Sequence, residues 1–376
     1  MKIVQVCRQF YPGVGGIESV TLGLSQALQE HGHRSDVITL RKLFSLGMVA
    51  NPTEWVDGIN VYRLPHVGIR RYPVAPAVLS LLAPYDIIHI HAIDFFTDFL
   101  TATRRIHRKP IVVMTHGGFF HTRRFLLFKH LYFRTITRLS LSGANAIICD
   151  SPHDYNLFQH IVPPHKLYTC AIGVNVQPYI NIQKQIEPGL LVGIGRIVEN
   201  KRIERLIQLL PALALHLPDV HLVWIGDDEQ GRLAHLLTYA QELGVASRVQ
   251  FLGKTSEMQM QEQLRRAHLY VSSASYEAFG ISTIEAMSSA TVPVVTPTGI
   301  HPEVVHDGRT GFICTFEDHR SVDCLRHALT LSSASLDNIG QNARVEAARY
   351  SWTPVVKSYL DVYDSILTPK NRMSWS

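Results

Sequence analysis

The chain has 376 residues, 46% hydrophobic and 18% charged, with a net charge of +5. That length suits two domains of ordinary size, each able to bury its own core. No stretch of about eighteen uncharged apolar residues occurs, which argues against a membrane-spanning helix, and residues 1–10 are too short and strand-like for a signal peptide, so a cytoplasmic protein is expected. Cys7, Cys149, Cys170, Cys314 and Cys324 stand far apart without a C-x-x-C pair, which argues against a disulfide framework and a structural zinc site.

The first half alternates strand and helix signals. Residues 2–7 read as a buried strand, Gly13, Gly15 and Gly16 as a turn, and residues 19–32 as a helix, with Val20, Leu22, Leu24 and Leu28 at helical spacing and a stop at Gly32. Short apolar strands are predicted at 36–40, 60–64, 86–91, 110–115 and 144–149. This is the rhythm of a parallel sheet covered on both faces. G-V-G-G-I-E over residues 13–18 departs from a dinucleotide fingerprint, because Glu18 stands where a third glycine belongs and no acid ends the second strand. A nicotinamide oxidoreductase is therefore disfavoured. Gly15 and Gly16 still permit close approach of a phosphate or sugar, and suit a tight turn without a ligand equally well. His116 ends a predicted strand beside two glycines, a position suited to touching a substrate. His89 and His91 fall on one face of a strand, and without a carboxylate or cysteine at ligand spacing the pair reads as packing.

Residues 103–139 mix basic and aromatic side chains, among them Arg123, Arg124, Phe125, Lys129 and Arg134. Such a mixture suits the interface of an anionic membrane, or a core-facing helix with a solvated basic face. Nucleic acid is disfavoured, since no reader motif accompanies the charge. From residue 163 to 189 polar residues interrupt the apolar runs, and the segment reads as a hinge. Domains are accordingly placed at 1–180 and 181–350, with an amphipathic tail at 351–376 returning to the first domain.

The second half repeats the alternation, with strands at 190–194, 221–225, 249–252, 269–272, 292–295 and 311–314 and helices at 203–217, 230–243 and 257–267. Gly193 to Lys201 reads G-I-G-R-I-V-E-N-K at the first strand-to-helix turn. Arg196 and Lys201 there suit a diphosphate, or are solvated cations beside a helix. Residues 271–290, VSSASYEAFGISTIEAMSSA, place Glu277 in a loop and Glu285 on the helix that follows. Phe279, Gly280 and Ile281 are expected to open that helix and offer N–H groups to an anion; an acidic first turn with a solvated Glu285 reads the same way. No D-x-D triplet occurs, so no metal ligands are assigned.

Taken together, Gly15-Gly16, His116, Arg196 to Lys201 and the E-x7-E of Glu277 and Glu285 resemble the retaining glycosyltransferases of family 4. The resemblance extends to Ile172-Gly173-Val174-Asn175 and to Thr298-Gly299-Ile300-His301-Pro302-Glu303. It implies an α/β GT-B fold, two facing Rossmann-like, doubly wound parallel-sheet domains with a ligand cleft between them. Within the family, R-Q-F-Y-P-G-V-G-G-I-E (residues 8–18) and T-H-G-G-F-F-H-T (115–122) are similar to the α-mannosyltransferases of xanthan- and acetan-type exopolysaccharide assembly. That likeness implies a GDP-mannose donor, a polyprenyl-diphosphate-linked oligosaccharide acceptor such as a cellobiosyl lipid, no metal cofactor, and a peripheral place on the inner membrane face. The roles it implies are these: Glu277 on the donor sugar and its developing positive charge, Phe279, Gly280 and Ile281 on sugar and diphosphate, and Glu285 on the ribose. Arg196 and Lys201 would meet the diphosphate and His116 the sugar or leaving oxygen, while Ser151 would line the cleft. Arg202 stands where the family commonly has glycine, and Asn175 where it has aspartate. A family-4 transferase using a UDP-sugar is the nearest alternative, and a non-catalytic glycan- or membrane-binding module the alternative from another class.

Overall fold

The computed structural model describes all residues except 14, 45, 71, 118–130, 278, 318 and 369–376, and His153 by its main chain alone. It divides into two compact units, Met1–Gly173 with Trp352–Ser376, and Val174–Ser351.

In the first unit eight strands run across one sheet in the spatial order Leu167–Thr169, Ala146–Cys149, Ile111–Met114, Ile87–His91, Lys2–Val6, Arg34–Leu40, Ile59–Leu64 and Thr53–Val56. All pair in parallel except the last, which returns antiparallel on Ile59–Leu64. The central strands read as continuous apolar runs because helices cover both faces of a parallel sheet. Lys2–Val6 is the first strand of the chain, yet it lies between the second strand and Ile87–His91. The order of strands therefore reverses beside it, and ligands of open α/β sheets bind beyond the carboxyl ends of the strands at such a point.

The second unit holds six parallel strands in the order Val249–Gly253, His221–Ile225, Leu190–Ile194, Leu269–Ser272, Val292–Val295 and Phe312–Ile313. Its reversal falls between Leu190–Ile194 and Leu269–Ser272. The loops leaving these two strands carry Arg196 and Lys201 on one side and Glu277 on the other, so strand order alone brings together residues almost eighty positions apart in sequence.

Two predicted features need correction. The segment taken as a hinge from residue 163 contains the edge strand Leu167–Thr169, which pairs with Ala146–Cys149 and belongs to the first sheet. The helix after the first strand begins at Gly16 rather than at residue 19.

The tail helix Trp352–Leu367 is held to the first unit by a stripe of Val355, Val356, Tyr359, Val362 and Tyr363, the spacing of one buried helical face. Full burial of such side chains stabilises by about 2 kcal/mol each. Trp352 fills the space left by two missing side chains: a Cβ on Gly23 would lie 2.0 Å from its indole nitrogen, and one on Gly173 2.2 Å from its ring.

Candidate active site

In the second unit the turn after Leu190–Ile194 runs through Gly195 with φ +148°, where a Cβ would come within 2.9 Å of Lys201 Cε. Only glycine lets the lysine stem lie across the backbone there. Lys201 Nζ then reaches Glu277 Oε2 at 2.5 Å, with the two side chains 13% and 18% exposed. Burial alone pushes the Glu277 carboxyl up, but the charge and hydrogen bond of Lys201, aided by His301 and Arg196, outweigh it and leave the group below its ordinary value. The partner agrees: burial lowers Lys201, Glu277 and Tyr270 together raise it more, and the net shift is upward. The pair is thus ionised on both sides.

The two loops are sewn together by hydrogen bonds onto backbone carbonyls. Asn200 Nδ2 donates to the Tyr276 carbonyl at 2.9 Å, the Ser275 N–H to the Asn200 carbonyl at 2.8 Å, and the Ser273 hydroxyl to the Lys201 carbonyl at 2.9 Å. Arg202, the departure from the family's glycine, occupies the left-handed region with φ +49°. This conformation is strained for a side chain and explains why glycine is the common choice. Here the guanidinium is anchored, with Nε on the Ser273 carbonyl at 2.7 Å and a terminal nitrogen on Glu317 at 2.8 Å.

The helix that follows Glu277 is Ile281–Ser288. Gly280 is its N-cap, with φ +111°, and Phe279 lies before it with a buried ring, 5.9 Å from that of Tyr350. The opening therefore begins later than expected, and Ile281 is the first helical N–H. His301 braces this corner: its Nδ1 meets the Thr296 carbonyl at 2.7 Å and its Nε2 the Thr283 hydroxyl at 2.9 Å. Glu285 does not share Glu277's surroundings. Burial, followed by the charge of Glu257, raises its carboxyl to about 7. Arg196 is largely exposed and pairs with Glu229 at 2.9 Å. A cavity of about 610 Å³ lies beside the end of strand Val249–Gly253, lined in part by Leu252, Lys254, Thr255, Met258 and Gln259. Lys201, Glu277 and Glu285 do not line it.

In the first unit the expected residues stand at the carboxyl ends of strands. Gly15 caps the helix Gly16–Glu30 in an extended conformation, and a Cβ there would meet Glu18 Oε2 at 2.6 Å. Ser151 is buried and caps Pro152–Phe158 by accepting the Asp154 N–H at 3.2 Å, which gives its hydroxyl a structural task. His116 follows Ile111–Met114 with φ +49°, a rare conformation for a residue with a side chain and one that collects at functional sites. Its ring stacks on His91, and His91 on His89, with centroids 5.3 and 4.7 Å apart. The histidine pair read as packing is therefore also wired to His116, with His116 Nε2 3.0 Å from His91 Nδ1. Burial pushes all three imidazoles down, His116 to about 4 and His89 to about 3, and neighbouring histidines add to the shifts of His89 and His91, so all three are neutral near pH 7.

Arg134 is exposed on the turn Phe133–Thr137, flanked by Leu131 and Leu139, which are 63% and 75% exposed. Arg123, Arg124, Phe125 and Lys129 lie outside the described residues. Among the described residues no helix is long and apolar enough to cross a membrane, and no three His, Cys, Asp or Glu side chains gather in a way that would hold a metal ion.

Comparison with known proteins agrees with this architecture. Residues 14–177 match the family model described as Glycosyltransferase Family 4, and residues 181–346 the one described as Glycosyl transferases group 1. A Xanthomonas campestris protein named GDP-mannose:cellobiosyl-diphosphopolyprenol alpha-mannosyltransferase is 31% identical over 99% of both chains. The chain belongs to the family 4 glycosyltransferases. A Komagataeibacter xylinus protein of the same name is 30% identical over 98% of this glycosyltransferase and 94% of its own length. Two solved structures share the GT-B fold. Sucrose-phosphate synthase of Thermosynechococcus elongatus superposes with a TM-score of 0.78 at 17% identity, covering 97% of this chain and 99% of that one. Anabaena HepE in complex with UDP gives 0.75 at 17% identity, covering 97% and 100%.

Proposed function

We propose that this glycosyltransferase moves mannose from GDP-mannose, with retention at the anomeric carbon, onto a polyprenyl-diphosphate-linked oligosaccharide such as a cellobiosyl lipid in exopolysaccharide assembly. The observation that carries the reading is the end-to-end likeness, at 30–31% identity, to two enzymes named for that transfer. The site supplies chemistry to match. Lys201 and Arg196 meet the diphosphate, and the charge that develops on the leaving oxygen strengthens this attraction in the transition state rather than in the bound donor. The helix opening at Ile281 adds backbone N–H groups of the correct polarity. Glu277 holds donor hydroxyls and steadies the positive charge at the anomeric carbon, and Glu285 accepts from the ribose. The acceptor hydroxyl attacks on the face from which the phosphate departs. The C–O bond to phosphate breaks as the new glycosidic bond forms, and the acceptor's proton passes to the leaving phosphate oxygen. No metal ion is needed in this scheme, because the cations and the helix N-terminus take the charge. Peripheral attachment to the anionic inner face of the membrane fits Arg134 and the exposed leucines beside it, and would bring the enzyme to a lipid-linked acceptor.

The test is a panel of GDP-mannose, UDP-glucose, UDP-galactose, UDP-glucuronate and UDP-N-acetylglucosamine, read by thermal shift and by slow nucleotide release without acceptor. A ligand that binds only the folded state raises the melting temperature by mass action. Stabilisation and release with GDP-mannose alone, lost in Glu277→Ala, are expected. A UDP-sugar in its place would overturn the donor assignment, and no response to any donor would favour a non-catalytic binding module.

A further inference from the structure

We propose that His91, backed by Gln5, is a positioning residue that fixes the tautomer of His116 and so keeps His116 Nδ1 unprotonated, an acceptor for a hydroxyl of the donor sugar. The inference rests on the proposed function and takes, of the two contacts that the family resemblance implies for His116, the one with the sugar.

With the Gln5 amide oriented as it is in the structure, the network has one consistent assignment of protons. Gln5, on the strand Lys2–Val6, turns its amide nitrogen to Ser35 Oγ at 3.3 Å and its Oε1 to His91 Nε2 at 2.9 Å. A carbonyl oxygen only accepts, so His91 Nε2 carries the hydrogen. In a neutral imidazole the other nitrogen is then a bare acceptor, and that nitrogen, Nδ1, lies 3.0 Å from His116 Nε2. His116 must therefore donate from Nε2, which leaves its Nδ1 with a lone pair. The hydrogen bond made by one ring nitrogen decides the state of the other, and here that control passes through two rings in succession. Stacking of the rings and the left-handed backbone at His116 hold the geometry. His89 stands behind the series, its Nδ1 2.6 Å from the Tyr363 hydroxyl on the tail helix.

The chemical consequence is selective. A hexose hydroxyl can donate into a bare imidazole nitrogen, whereas a carboxylate at the same place would set lone pairs against each other. The opposite tautomer would donate instead, and would take a carboxylate as readily as a hydroxyl. A residue that controls the tautomer thus acts on sugar recognition without touching the sugar.

The direct test is nitrogen NMR of the wild-type enzyme with labelled histidine, with the His116 signals assigned by comparison with His116→Ala. Protonation at Nε2 is expected, and protonation at Nδ1 overturns the proposal whatever any variant does. The second test is kinetic. His91→Leu and Gln5→Leu should raise the KM for GDP-mannose roughly 3- to 10-fold, the equivalent of one lost hydrogen bond. Affinity for GDP should not change. The double variant His91→Leu/His116→Ala should be no worse than His116→Ala, because the two act on one interaction. Additive losses, or equal losses for GDP and GDP-mannose, would assign His91 a structural role and overturn the proposal. A His116→Ala enzyme that binds GDP-mannose as tightly as wild type would instead overturn the sugar contact itself.

Discussion

Replacing Lys201 by methionine keeps the aliphatic stem that lies across Gly195 and removes the charge that Glu277 answers. Both partners are more than four-fifths buried, so the loss leaves a carboxylate with little water and no counter-ion. Removing one member of a buried pair costs about 3–5 kcal/mol. The residual exposure of 13% and 18% places this pair at the lower end, about 3 kcal/mol. For a domain of this size each kcal/mol moves the melting temperature by about 2–4 °C, so Lys201→Met should melt roughly 6–12 °C lower at pH 8. The sign of the pH dependence is the sharper test. In the wild type the Glu277 carboxyl is held below its unfolded value, because Lys201 outweighs burial. It therefore contributes stability above the unfolded pKa that is lost as pH falls through the folded one. Without Lys201, burial dominates and the folded pKa rises above the unfolded value. The ionised group then opposes folding at high pH, and the penalty fades on acidification. The gap between wild type and Lys201→Met should accordingly narrow from pH 8 to pH 5, and Lys201→Met/Glu277→Gln should recover most of the loss at pH 8. Differential scanning fluorimetry across that range suffices. A gap that is constant with pH, or absent, would refute the argument that the two groups form a buried ionised pair.

Four further outcomes are expected. Glu285 is raised to about 7 by burial and then by Glu257, and in its proposed role on the ribose it would accept hydroxyls best when ionised; nucleotide affinity measured by calorimetry should fall as pH drops through 7, and Glu257→Gln should move that fall to lower pH. The same raised pKa opposes folding above pH 7, so Glu285→Gln should raise the melting temperature of the ligand-free protein there while weakening nucleotide. At position 202 the left-handed backbone makes Arg202→Gly more stable than Arg202→Ala by about 1 kcal/mol in denaturant melts, since both lose the anchors to Ser273 and Glu317 and only glycine relieves the strain. Arg134→Glu with Leu139→Asp should leave the melting temperature unchanged, because both side chains are exposed, and should reduce co-sedimentation with anionic vesicles.

The parts legible in the sequence are those with a local signal. Buried strands announce themselves as apolar runs, the tail helix by its spacing of Val355, Val356, Tyr359 and Tyr363, and the loop carrying Glu277 by its glycine and small residues. What escaped depends on sheet order. His89 and His91 could be placed on one face of a strand, but their link to His116 arises because Ile87–His91 and Ile111–Met114 lie side by side, and the link to Gln5 because Lys2–Val6 lies on the other side. The signal that would have found them is an H-x-H at the end of a strand beside the reversal of strand order. Leu167–Thr169 carries no local signal, because three residues shortly after two prolines show no periodicity and read as part of a hinge. The substitution of Arg202 for glycine was visible, whereas its anchors on Ser273 and Glu317 lie 71 and 115 residues away. Likewise, only the fold shows that Glu257 is the neighbour that raises Glu285.

The role proposed for the site of Lys201 and Glu277 is transfer of mannose from GDP-mannose to a lipid-linked sugar. Its most direct test is to incubate the purified protein with radiolabelled GDP-mannose and cellobiosyl-diphosphopolyprenol in anionic vesicles, then extract the lipid and determine the anomeric configuration of the product by NMR. α-Linked mannose on the lipid is expected, formed by the wild type and not by Glu277→Ala. A β-linked product, or transfer of a sugar from a UDP donor with none from GDP-mannose, would contradict it.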